Sequence, residues 1–245
     1  ALSEVAHLVA LDYWSRCGLP NPPARVTCVK PSGNAGVNLG CSSGVHPEHA
    51  RRYIRRVQVP SDSPIVRAFA EANPHAVEEC VWSSGDDVTL AFAVEVPEGS
   101  LTRDEQSARE FLELVRDVQT NWVVGGTVRP ESVEGLTHNV SNTCTVRADE
   151  WDEVAEMLVT GRAYYGGVSC LGASGDYDYP QPPLRAVYDE IEDDDPHATA
   201  KRKARAYWER LRADYRDVDY SSIIELEDNT ELMREGACFG GTCEL

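Results

Sequence analysis

An α/β fold with parallel strand pairing is what the sequence predicts, and three observations carry that prediction. Residues 139–171 read strand, helix, strand: Asn139–Val146, an amphipathic stretch from Ala148 to Leu158, then Gly166–Leu171. A helix between two strands is the connection that parallel pairing needs. Upstream, Ala108, Phe111, Leu112, Val115, Val118 and Trp122 recur at helical spacing and make one apolar stripe. Finally, Arg25–Lys30 reads as a buried strand that Pro31 ends, followed by a Gly-, Ser- and Asn-rich loop from Ser32 to Gly44. Loops leaving a strand toward a helix are where ligands commonly sit.

The other elements follow in order. Val5, Leu8, Val9 and Asp12 fall on one face of an opening helix that Gly18 stops, and Pro20 to Pro23 form a turn. A short helix starts within Val45–Ala50. Trp82–Val96 reads as two short strands around a Gly85-Asp86 turn. Thr102 and Glu105 have the spacing of a capping box before the helix of the apolar stripe. Tyr179–Pro183 is a Pro-rich loop, and the acidic run Asp189–Asp195 a solvated turn. A last helix turns Ala200, Ala204, Tyr207, Trp208, Leu211 and Tyr215 inward. The final fifteen or so residues, without periodicity, read as a mobile tail.

Composition narrows the function. With 42% hydrophobic and 26% charged residues in 245, the chain is an ordinary folded protein with a real core. Lys plus Arg number 23 against 41 Asp plus Glu, a net charge of −18, which excludes broad binding to DNA because phosphates would be repelled. No eighteen-residue apolar run suggests a membrane span and no leader pattern opens the chain, so the expected location is cytoplasmic. The first residue is Ala1 and a helical pattern begins at once, which raises the expectation of a fragment or a split-gene half. Of eight cysteines (17, 28, 41, 80, 144, 170, 238, 243), six are expected to be reduced, buried packing residues. Asn139-Val140-Ser141 fits a glycosylation sequon and is read as a chance match.

Two places carry chemistry. Cys238 and Cys243 stand five positions apart around Gly240-Gly241, close enough to form a disulfide once the glycines let the loop close. They are either incidental tail residues or a dithiol passing electrons by thiol–disulfide exchange. Two thiols alone do not complete a zinc site, and His46 with His49 lack a third ligand, so no metal is expected and the histidines are read as capping and packing. Lys30-Pro31-Ser32-Gly33-Asn34-Ala35-Gly36 is either a structural turn or a place where backbone N–H groups cradle a phosphate.

Taken together, Val29–Asn34, Gly44–Pro47, Tyr53–Val57, His138–Ser141, Gly167–Leu171, Tyr179–Pro183 and the closing Cys-x4-Cys resemble the C-terminal part of ribonucleotide reductases. The resemblance is to the adenosylcobalamin-dependent, class II, monomeric ribonucleoside-triphosphate reductases, and runs in order from about Val26 to Cys243. It implies the C-terminal portion of a ten-stranded α/β barrel, with residues 1–188 in the barrel, 189–232 an acidic turn and C-terminal helix, and 233–245 a redox-active tail. Ser32, Gly33, Asn34 and Ala35 would hold the substrate's phosphates. In the family, homolysis of the cobalt–carbon bond generates a thiyl radical that abstracts the ribose 3′ hydrogen, and a barrel cysteine pair reduces the 2′ carbon. Cys238 and Cys243 resemble the shuttle that re-reduces that pair and is itself reduced by thioredoxin. The implied partners are a ribonucleotide substrate, the upstream half of the reductase and thioredoxin, with no nucleic acid and no membrane; cobalamin contacts are not assigned to residues.

The chain departs from the family in places. The radical cysteine's Asn-x-Cys-x-Glu pattern does not occur in it; the nearest imitation, Ser141–Thr145, lacks the Glu, so Cys144 is read as packing and the chain is expected to be inactive alone. Asn34 stands where many relatives have Thr and can still cap a helix and donate to phosphate. Tyr164-Tyr165 resembles the tyrosine pair through which class I reductases carry radicals, which keeps a class I large-subunit fragment as an alternative. A dithiol where a glycine loop would be expected argues against the glycyl-radical class. A non-catalytic nucleotide-binding fragment and a stand-alone thiol carrier remain the readings from other classes.

Overall fold

In the computed structural model, residues 2–33, 35–83, 85–127, 137–173, 176–221 and 223 are described. The chain divides into two interleaved compact units, one of residues 1–48 and 101–173, the other of 49–100 and 174–245.

The first unit holds the predicted strand–helix–strand. β4 (Thr143–Val146) and β5 (Ser169–Gly172) pair in parallel, with α5 (Trp151–Thr160) between them in sequence. Each begins a few residues later than its sequence pattern suggests. The apolar stripe becomes α4 (Ala108–Val118), whose Ala108, Phe111, Leu112 and Val115 are buried against Val123, Val140, Cys144, Val146 and Val154. The cap is one turn later than expected. Ser107 Oγ accepts from the Glu110 amide at 3.2 Å and the Glu110 carboxylate accepts from the Ser107 amide at 2.8 Å. Thr102 and Glu105 do bond to each other, closing the preceding turn rather than starting the helix. Past Val118 the helix widens into a π turn, Gln119–Val123, and ends in a 3-10 turn, Val124–Gly126.

Three expectations in this unit are corrected. Arg25–Lys30 forms no strand: only Arg25 bridges Thr127 and Val29 bridges Val140. The segment is held instead by Thr27, whose hydroxyl donates to the Trp122 carbonyl at 2.6 Å, and a Cβ at Gly126 would collide with that hydroxyl. No helix starts at Val45–Ala50; the helical turn forms earlier, as α2 (Ala35–Leu39). The opening helix α1 (Leu2–Cys17) ends at Gly18, where φ is +64° as a left-handed terminus requires, but its apolar face is not a core face. Val5, Leu8 and Val9 are exposed, and Ser3 is what it buries.

The second unit is a four-stranded antiparallel sheet ordered β2-β3-β1-β6: β1 (Arg52–Pro60), β2 (Val77–Glu79), β3 (Asp87–Glu95) and β6 (Leu184–Val187). In the register Ile54 faces Ala93 on one side and Arg185 on the other. α3 (Pro64–Ala72) and α6 (Ala198–Ala213) supply Val66, Phe69, Ala204, Trp208 and Leu211 to a core shared with Ile54, Leu90, Ala91 and Val187. The turn at Gly85-Asp86 is followed by the predicted strand, but Trp82 and Ser83 form no strand, and the strand before the turn is the earlier β2. Tyr215 lies beyond α6 and is exposed.

Two buried amides close this unit. The Asn73 side chain donates to the Arg216 carbonyl (2.9 Å) and accepts from the Arg216 amide (2.8 Å), tying the end of α3 to the chain after α6. Gln181, in the Pro-rich loop, donates to the Glu78 carboxylate (2.8 Å) and the Glu79 carbonyl (3.1 Å), and accepts from Val81 N–H (3.1 Å) and the Thr89 hydroxyl (3.3 Å). Every hydrogen-bonding group of that side chain is engaged, so the loop is pinned to β2 and β3. Burial pushes the Glu78 carboxyl up, but the Arg56 guanidinium at 2.8 Å and the Gln181 amide outweigh it and hold it below the usual carboxylate range.

Candidate functional site

The turn after Lys30 is built by small residues that fold it onto itself. Ser32 Oγ accepts from the Gly36 amide at 3.1 Å, capping α2, and the Ser32 carbonyl accepts from the Ser43 hydroxyl at 2.9 Å. Gly36 is buried against this cap: a Cβ there would lie 2.6 Å from Ser32 Oγ and 3.0 Å from the Cys41 carbonyl. Gly44, at φ +63°, passes over Lys30, and a Cβ would meet its carbonyl at 3.0 Å. By contrast a Cβ at Gly33 meets nothing within 4 Å, so the backbone there faces open space. Ser32, Gly33 and Ala35 therefore sit together at the opening of a helical turn, where N–H groups lack partners within the helix. Asn34, the remaining residue of the set, lies outside the described residues.

The turn is braced from β4. His46 Nδ1 lies 3.0 Å from the Ser43 carbonyl, and His46 Nε2 lies 2.9 Å from the Thr143 amide. Both bonds form only if Nδ1 carries the proton and Nε2 keeps its lone pair, a neutral ring of one tautomer. The ring also rests on Phe111 at 5.6 Å between centroids. A chain of hydrogen bonds thus runs from Thr143 through His46 and Ser43 to Ser32. His49, in the other unit, bonds Asp176 at 2.8 Å, and Asp176 also accepts from the Ala186 amide at 2.7 Å. Both histidines do structural work, and among the described residues no three His, Cys, Asp or Glu side chains group as metal ligands.

The thiols divide. Cys238 and Cys243 lie outside the described residues. Of the six read as buried packing residues, only Cys80 and Cys144 are buried; Cys17, Cys28, Cys41 and Cys170 are exposed. Cys144 matches its packing role. Burial pushes its thiol up to about 12, leaving almost no thiolate near neutrality. Burial also pushes Cys80 up, but hydrogen bonds from the Trp82 backbone and from Ser83 and Thr89 bring it below the usual thiol value. Tyr165 is a packing residue, its hydroxyl 3.4 Å from the Leu112 carbonyl, whereas Tyr164 is exposed.

Residues that position this region escaped the sequence reading. Gln119 is buried and donates to Thr137 and to the His138 carbonyl while accepting from the Val140 amide, which fixes the approach to β4. No local pattern marks such a residue. The Ser107-x-x-Glu110 cap did carry a readable signature, just downstream of Thr102 and Glu105.

A shallow groove of about 510 Å³ is lined by Leu2, Ser3, Asp117, Val118, Asn121 and Trp122.

No family model matches the chain. Three curated proteins do, all adenosylcobalamin-dependent ribonucleoside-triphosphate reductases. The one from Levilactobacillus brevis is 27% identical over 180 residues, covering 72% of this chain and 22% of the relative. That from Lactobacillus acidophilus is 26% identical over 239 residues, 92% of this chain and 27% of the relative. That from Euglena gracilis is 32% identical over 120 residues, 47% of this chain and 16% of the relative. A crystal structure of a B12-dependent, class II ribonucleotide reductase superposes with a TM-score of 0.56 at 20% identity, over 87% of this chain and 28% of that one. The described α/β arrangement is therefore similar to part of the class II reductase fold, and the chain spans about a quarter or less of the length of the curated relatives it matches.

Proposed function

We propose that this chain is the C-terminal part of an adenosylcobalamin-dependent ribonucleotide reductase, acting on a ribonucleotide to give its 2′-deoxyribonucleotide. The observation that carries the reading is the alignment with the Lactobacillus acidophilus reductase, which extends across 92% of this chain. The ten-stranded barrel belongs to the same proposal: the parallel β4–β5 pair would be part of it, completed by the upstream half of the enzyme.

Within that reading, Ser32, Gly33, Asn34 and Ala35 hold the substrate's phosphates. A chain of net charge −18 needs local donors for this, and backbone amides at a helix start supply them without a basic surface. Ser32 spends its side chain on the Gly36 amide, so it shapes the turn, and open space beside Gly33 leaves room for the phosphate's close approach. Cys238 and Cys243 relay electrons. Their dithiol attacks the disulfide left in the barrel by substrate reduction; the barrel pair regains two thiols, and the tail pair becomes a disulfide that thioredoxin reduces. The radical cysteine, and in large part the substrate-level pair, are contributed by the upstream half.

The groove beside α1 does not fit the cofactor. A corrin ring with its nucleotide arm is larger than about 510 Å³, so no described residue is assigned to it and no step is routed through it.

The test is deoxynucleotide formation by the whole reductase containing this chain, with a small dithiol as reductant. Product formed only with adenosylcobalamin is expected. Product that needs a radical-generating partner subunit instead would move the assignment to class I, and nucleotide binding without product under either condition would leave a non-catalytic fragment.

A further inference from the structure

Two thiols stand side by side outside the proposed site. β4 and β5 are parallel, and in their register Cys144 is directly opposite Cys170. Opposed residues on neighbouring parallel strands point to the same face, and the strands lie ~4.8 Å apart, inside the ~4.4–6.8 Å between Cα atoms that a disulfide spans. The pair is asymmetric. Cys144 is wholly buried, with Sγ 3.9 Å from the Ala108 carbonyl, while Cys170 is exposed on a strand exposed along its whole length. The nearness of Cys170 also shows in its contribution to raising the Cys144 pKa. The other described cysteines, Cys17, Cys28, Cys41 and Cys80, lie outside the strands and have no such opposite number.

We propose that Cys144 and Cys170 form a redox-active pair that closes into a disulfide across β4 and β5 on meeting a low-molecular-weight disulfide, and reopens with a dithiol. The reachable Cys170 acts first: its thiolate attacks one sulfur of the small disulfide, breaking that S–S bond, forming a mixed disulfide and releasing one small thiolate. Cys144 then attacks the Cys170 sulfur, its thiol proton passing to the departing small thiolate, so that the protein disulfide forms and the second small thiol leaves. The protein thiols give up two electrons and two protons, and the small disulfide is reduced to two thiols. The product joins the ends of the β4–α5–β5 unit covalently, a constraint that acts mainly on the unfolded chain. This proposal does not depend on the reductase reading.

The test uses the 245-residue chain carrying Cys238→Ser and Cys243→Ser, incubated with oxidised glutathione at mildly alkaline pH and digested without reduction. Trypsin cuts between the two thiols at Arg147 and Arg162, so a peptide pair joined through Cys144 and Cys170 is distinguishable by mass. The expected result is that joined pair, with loss of both thiols, reversal by dithiothreitol and a higher melting temperature in the oxidised form. Cys170→Ser should leave Cys144 a free thiol under the same treatment. Cys170 found only as its glutathione adduct with Cys144 still free, joined to a different cysteine, or left unmodified would overturn the proposal.

Discussion

The two units solve the same burial problem differently. In the second, four antiparallel strands share one core with α3 and α6, and the buried side-chain amides of Asn73 and Gln181 tie down its connecting segments. Antiparallel sheets tolerate one wet face, so such a unit can satisfy itself. The first unit has a parallel pair, an arrangement usually covered on both faces, and here β5 is exposed along its length, with Leu171 and Val159 open to solvent. Its α1 likewise presents Val5, Leu8 and Val9 outward. The proposed phosphate turn belongs to this more open unit. Elements laid out for chemistry and for further contacts are those left unsaturated, and the reading as part of a larger reductase barrel accounts for both exposures.

The largest effect expected is functional. In the whole reductase, Cys238→Ser or Cys243→Ser should abolish turnover with thioredoxin while leaving much of the turnover with a small dithiol that reaches the barrel directly. Equal activity of variant and wild type with thioredoxin would remove the shuttle role. Next in size, the contrast between a closed core and an open face is measurable by chemical denaturation. Trp208→Ala in the second unit, 3% exposed with its indole N–H bonded to the Val94 carbonyl, should cost ~3–5 kcal/mol. Leu8→Ser on the outward face of α1, 66% exposed, should stay within about 0.5 kcal/mol. A comparable loss from both would mean that the α1 face is covered in solution. Between these, Gln181→Ala strands the Val81 amide and the Thr89 hydroxyl and should cost ~1–3 kcal/mol. A neutral result would show that water replaces the amide at the Pro-rich loop.

How much of this was legible in the sequence depended on whether the signal was local. The α4 stripe and the strand–helix–strand of β4, α5 and β5 were readable because a buried face repeats at the period of its element. The opening helix was readable as a helix but not in its burial, since an apolar face does not say what covers it. Arg25–Lys30 has the residues of a strand, yet only Arg25 and Val29 find bridge partners, because pairing depends on a neighbour far away in the chain. β1 was visible only as part of the reductase resemblance; its Arg55-Arg56 pair interrupts the apolar pattern, and Arg56 is accommodated by Glu78, which no spacing rule announces. Gln119 and Gln181 belong to the same class: buried polar anchors whose partners lie 18 or more residues away. At the candidate site the turn itself was legible from its Pro, Ser and Gly content, while the brace through His46 to Thr143, 97 residues on, was not.

The claim that the open unit carries the substrate site is tested most directly by following the backbone amide resonances of the chain while a ribonucleoside triphosphate is added, with the free ribonucleoside as control. The account predicts that the triphosphate moves the Gly33, Ala35 and Gly36 amides, that the nucleoside does not, and that Gly36→Ala, which forces a Cβ against the Ser32 hydroxyl, weakens the response. Triphosphate-dependent shifts confined to residues 49–100 or 176–221, with the turn unmoved, would contradict it.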